Sequence, residues 1–153
     1  MTTTAHDTDR LAELVAVKLK IVELLAQLAR RQIALVGDGQ MADLLKLLSA
    51  KQTVLAQLQQ VERQLDPFRT QNPETRTWRT PADRIRCQER ARRCEELLAE
   101  TMHLEKEGEA GMLRRRDSAA AVLHGVSAAA DAHAAYAAPH DPSPALLHLH
   151  CEG

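Results

Sequence analysis

Eight positions, Leu44, Leu47, Lys51, Val54, Leu58, Val61, Leu65 and Phe68, are separated alternately by three and four residues. Steps of three and four return to one face of an α-helix, whereas a strand repeats every two residues. All but Lys51 are apolar. A seam sustained over this length packs knobs-into-holes along a second helix of similar length. The chain is therefore expected to be all-α, a long antiparallel helical hairpin with a third long helix, forming a coiled-coil-like three-helix bundle.

Composition supports the same class. The hydrophobic fraction is 44%, yet aromatic residues make up only 2%, with a single Trp, a single Tyr and a single Phe. Sandwiches and α/β cores fill volume with large rings, while packed helices can do so with Leu, Val, Ile and Ala. A length of 153 residues fits one domain. The organisation read from it is a disordered start over 1–8, a single three-helix domain over 9–138, and a flexible tail over 139–153.

The first helix is expected over about 9–36, with Asp9 as its cap and Gly37 as its closing residue. Leu11, Leu14, Val15, Leu19, Ile21, Val22, Leu25, Leu28, Ala29, Ile33 and Val36 form its apolar stripe. Asp38 is placed to cap the second helix, over about 40–68, which Pro67 brings to an end. So short a connection makes the two helices antiparallel neighbours. Trp78 stands alone in the polar link that follows, either packed across the end of the hairpin or presented as a binding surface.

The third helix is expected over about 80–136. Thr80, Pro81 and Asp83 supply a cap, a first-turn proline and an acid. Cys87, Ala91, Cys94, Leu97, Leu98, Thr101 and Leu104 mark its apolar side. Gly108 and Gly111 then interrupt it, and a kink or frayed half is expected there, since each Gly costs about 1 kcal/mol of helix relative to Ala. Beyond them Met112, Leu113, Val122, Leu123 and Val126 make a sparse apolar set in an Ala-rich stretch. Sparse apolar residues on a weak helix are a liability until a partner covers them. These five are therefore the candidate partner-binding residues, in the helix-in-groove mode.

Chemistry by motif is absent from the sequence: no phosphate loop, dinucleotide fingerprint, nucleophile elbow or His-Glu-x-x-His pair occurs. No catalytic residue, cofactor or metal site is assigned. His133, His140, His148, His150 and Cys151 lie at the Ala-rich end or in the tail, where spacing imposes no ligand geometry. Cys87 and Cys94 are two helical turns apart, roughly 10 Å, too far for a mutual disulfide. The formal charge of −1 offers no field to gather nucleic acid or an anionic membrane. The arginines Arg84, Arg86, Arg90, Arg92 and Arg93 alternate with acids, as on a solvated helix face. No apolar run spans a bilayer and the start has no secretory pattern, so the expected location is cytoplasmic.

One stretch carries a resemblance. A Leu-rich first helix from Leu25, the Gly37-Asp38 break, then Leu44, Leu45, Leu47, Leu48, Lys51, Val54, Leu55 and Leu58, resembles the FlgN family of flagellar export chaperones, over about residues 10–130. The resemblance implies a cytoplasmic protein that keeps hook-associated proteins of the hook–filament junction soluble and delivers them to the flagellar type III export apparatus. It also implies that the carboxy-terminal helix embraces an amphipathic end of the client. The chain departs from that pattern in its Gly-interrupted, Arg-rich third helix and its His- and Pro-containing tail. The rival readings from the residues alone are a structural coiled coil that self-associates as a homo-oligomer through the same stripe and, ranked lower, an Arg-driven nucleic-acid adaptor.

Overall fold

A computed structural model of the chain describes residues 4–137. Three helices follow in order: α1 (Ala5–Asp38), α2 (Met41–Arg69) and α3 (Pro81–Ala137), with a short 3-10 turn at Pro73–Thr75 before α3. The chain is all-α, and it divides after Arg115 into two compact units. Tail residues 139–153, including His140, His148, His150 and Cys151, lie outside the described residues. No helix among the described residues is long and apolar enough to cross a membrane.

In the first unit α1 and α2 form an antiparallel hairpin. Leu35 and Val36 meet Leu44 and Leu47 beside the turn. At the other end Leu11, Leu14 and Val15 join Val61 and Leu65. The three-four seam of α2 is the buried one: Leu44, Leu47, Val54, Val61 and Leu65 are buried, and Leu58 and Phe68 pack half-buried against them. The first half of α3 runs parallel to α1. Cys87 packs among Leu11 and its neighbours, and Leu97 packs against Val22 and Ala26. Further along, Arg30 pairs with Glu100. Each buried aliphatic contributes roughly 1.5–3 kcal/mol, so this interlocked seam, not the surface ion pairs, holds the bundle.

Helix ends differ from the sequence expectation in ways with clear causes. Helix α1 starts at Ala5 and not at Asp9, so residues 5–8 are its first turn. Thr4 caps it: the Asp7 N–H donates to Thr4 Oγ1 at 3.3 Å, and the Thr4 N–H donates back to the Asp7 carboxylate at 2.9 Å. Reciprocal capping satisfies donors that the helix itself cannot. The helix closes two residues later than Gly37, at Gly39, whose φ of 71° is the left-handed conformation that glycine adopts without penalty. Asp38 remains in α1, and Gln40 precedes α2 without a side-chain cap.

Pro67 does not stop α2, which continues to Arg69. So close to the carboxy end the ring removes one backbone bond and little else of the helix follows. Gly108 and Gly111 do not break α3, whose helical backbone runs through both. Both glycines lie against α1: a Cβ on Gly108 would meet Gln32 and Ile33, and one on Gly111 would meet Val36. Those contacts, at 3.5 Å and beyond, are ordinary van der Waals packing, so the helix runs on against α1 without a steric need for glycine at either position. Thr80 does cap α3, accepting from the Asp83 N–H at 3.2 Å. Arg93 pairs with Glu96 at 3.3 Å.

The link before α3 is tied down at three points. Trp78 packs against the Leu11 cluster. Thr8 Oγ1, buried, donates to the Thr77 carbonyl at 2.7 Å, and Arg79 pairs with Asp9 at 2.7 Å. A buried hydroxyl needs such an acceptor. The lone tryptophan thus has a packing role at the open end of the hairpin.

Candidate functional site

The second unit is described as the helical stretch 116–137. Its side chains from Arg116 to Tyr136 are all exposed. Val122, Leu123 and Val126 are 65%, 69% and 62% exposed. They fall within little more than one turn of helix, where residues i and i+4 share a face. Ala is the commonest residue around them, which keeps the stretch helical while providing almost no buried area of its own.

Of the five candidate residues, these three are brought together and two are not. Met112 and Leu113 belong to the first unit, at 38% and 44% exposed. The Met112 thioether accepts from Gln32 Nε2 at 3.7 Å, so this side chain is already engaged with α1. One residue missed in the sequence is Tyr136, which is 93% exposed. It stands two heptads beyond Val122, with Ala129 between them. Counting sevens onward from Val122 finds it; the Ala-rich sequence around it conceals the repeat.

Elsewhere the first unit offers hollows without reactive groups. One, of about 190 Å³, lies among Leu11, Lys18, Phe68, Arg76 and Cys94. A second, of about 130 Å³, lies beside Trp78 and Cys87. Both are smaller than the roughly 300–1,000 Å³ of small-ligand pockets. A third hollow, of about 460 Å³ among Asp9, Glu13, Trp78, Arg79 and Arg90, reaches that range, but its Arg79 and Asp9 are paired with each other. Burial pushes both the Cys87 and the Cys94 thiols up from their ordinary range, which keeps them protonated and poor as nucleophiles. Desolvation likewise pulls the Lys18 ammonium down, although Glu62 pairs with it at 2.7 Å. Among the described residues no group of three or more His, Cys, Asp or Glu side chains is gathered as a metal site.

Several of the α3 arginines sit beside acids in space as in sequence. Arg84 pairs with Glu74, Arg86 with Asp83, and Arg116 with Asp117, each at 3.6 Å and on exposed surface. A phosphate-tracking groove would leave such cations unpaired along one line. Comparison with protein-family models, with curated proteins and with solved structures gives no match to this chain.

Proposed function

We propose that this chain is a non-catalytic binding protein of the flagellar export-chaperone kind. It holds hook-associated proteins of the hook–filament junction in the cytoplasm, keeps them export-competent, and hands them to the flagellar type III export apparatus. Recognition is helix-in-groove: an amphipathic client helix lies on the Val122–Val126 face of α3. One observation carries the reading. The second unit exposes Val122, Leu123 and Val126 at more than 60% each, while α1 and α2 hide their own aliphatic seam. A client helix would bury this face and order it further, so binding stabilises the complex by mass action.

The flagellar assignment draws on the Leu25–Leu65 resemblance, and the experiment tests both levels. Hook-associated proteins from the same genome are co-expressed with the full chain and with Val122→Glu/Val126→Glu. Exposed substitutions of this kind leave folding intact, within about 0.5 kcal/mol. The expected result is capture of those clients by the native chain and loss of capture by the variant. Equal capture by both removes the proposed surface, and no capture by either removes the flagellar role.

A second reading is self-association, favoured by the heptad step Val122, Ala129, Tyr136 on the same exposed face. Sedimentation of the native chain and the Val122→Glu/Val126→Glu variant separates the two. A dimer that the variant dissolves supports self-association in place of client binding.

A further inference from the structure

The way α3 is held changes at Glu105. From Cys87 to Thr101 it sets Cys87, Cys94, Leu97 and Thr101 into the bundle, all buried. From Glu105 to Arg115 it contributes no buried large side chain. The positions against α1 are Gly108 and Gly111, and the remaining ties are the Lys51–Glu105 ion pair, the Gln32–Met112 contact and the Arg115 guanidinium lying on Gly39 at the hairpin turn.

Those ties are weak for their position. Desolvation offsets most of the Coulomb gain of a partly buried ion pair. Glu105 Oε1 is buried with no hydrogen-bond partner, so the pair is not fully satisfied. Nothing in the stretch supplies the transfer free energy that Leu97 provides further back. Lifted from the hairpin, a helix this poor in contacts is marginal.

We infer that α3 from Glu105 to Arg115 is a strap, which lifts from the hairpin to admit an amphipathic partner helix bearing a carboxylate. The carboxylate replaces Glu105 on Lys51. Lys51 has only 13% of its side chain exposed and keeps only the neutral Gln32 when the strap leaves, so an incoming helix must bring an acid to it. Beside that acid the partner sets aliphatic side chains over Ile33 and Val36, where α3 offers only glycine. The source of the partner helix rests on the client reading above; the lifting is a property of the chain alone.

Hydrogen exchange on the full chain without any partner tests the lifting. Amides of 105–115 are expected to exchange at least about tenfold faster than those of 91–101. In Gly108→Ala/Gly111→Ala each new methyl meets no atom nearer than 3.5 Å, so it is accommodated. The variant is expected to slow exchange in 105–115 by at least about tenfold, from the gain in helix propensity. Equal exchange of the two stretches in the native chain, or no slowing in the variant, overturns the strap.

The occupant is tested with a fluorescein-labelled synthetic peptide of residues 98–116, by anisotropy on the full chain. Saturable binding is expected, and the Glu105→Gln peptide is expected to bind at least about tenfold more weakly. No binding, or equal binding of both peptides, overturns the assigned partner. Exchange in the Val122→Glu/Val126→Glu chain keeps the two proposals apart: a chain that still captures clients and retains the fast 105–115 stretch defeats the client surface and leaves the strap standing.

Discussion

Lys51 of α2 and Glu105 of α3 form an ion pair inside the bundle, with Gln32 of α1 accepting a second hydrogen bond from the Lys51 ammonium at 3.1 Å. All three helices thus meet at one polar layer. Such a layer fixes register more than it adds stability, because any slip leaves a half-buried ammonium without its acid.

The first prediction follows from that layer. Lys51→Leu alone strands Glu105 and is expected to cost about 1–3 kcal/mol, toward the low end because a third of the Glu105 side chain is exposed. Lys51→Leu/Glu105→Leu removes both charges and is expected to be neutral or stabilising. Urea denaturation of the two single variants and the double variant gives the coupling directly. Simple additivity of the single losses would mean that the two side chains do not depend on each other.

A second prediction concerns the aliphatic seam. Leu25 is buried with 4% of its surface exposed, and Leu25→Ala is expected to cost about 2–5 kcal/mol. Leu58 is half-buried between two clusters, so Leu58→Ala is expected near 2 kcal/mol, the lower end of that range. Thermal melts of both variants check the order. A smaller loss at Leu25 than at Leu58 contradicts this picture of the core.

These two cases show where the sequence is readable. Strict three-four spacing allowed one buried face on α2, and every apolar position along it is buried or half-buried. The seam also located Lys51 as a polar residue inside it. From the heptad alone Lys51 is only an interruption, whose change to Leu costs nothing; its partner lies 54 residues away and no local pattern announces it. The same holds for Thr8, whose acceptor is the Thr77 carbonyl. Gly108 and Gly111 signalled a break by propensity, yet the helix runs on through both against α1. In the candidate site, spacing identified Val122, Leu123 and Val126, whereas Met112 was separated from them by Gln32, a contact that periodicity does not encode.

A third prediction rests on the start of α1. Hydrogen bonds from the Thr4 backbone and hydroxyl hold the Asp7 carboxyl below its ordinary value of 3.8. A depressed folded value means that the contribution is present above the unfolded value and is lost as pH falls through the folded one. The first turn of α1 is therefore expected to fray below pH 3.8, and Thr4→Ala is expected to move the Asp7 titration upward. An NMR titration of Asp7 in both chains decides it; identical midpoints would remove the capping box as the cause.

The last prediction uses the two helix thiols, compared in a Cys151→Ser background so that only they report. Burial raises Cys87 and Cys94 above the ordinary thiol value of 9.0, while Arg76 and Arg90 pull Cys87, and Lys18 pulls Cys94, part of the way back. Thiolate is the reactive form, so both are expected to label with a disulfide reagent far more slowly in the native chain than in urea. The same shift sets a stability window. A raised folded value gives a contribution that is complete below pH 9.0 and is lost as pH rises toward the folded value, since the unfolded chain ionises first. Lys18 acts in the opposite sense, because its folded value is lowered by burial and alkaline pH relieves that cost. The informative quantity is therefore the difference between the Cys151→Ser chain and its Cys87→Ala/Cys94→Ala derivative. The derivative lacks the ionisable thiols and keeps Lys18, so its stability is expected to decline less from pH 9 to pH 11. Parallel pH curves for the two chains, or fast labelling at neutral pH without denaturant, would show that these thiols are not shielded by the bundle.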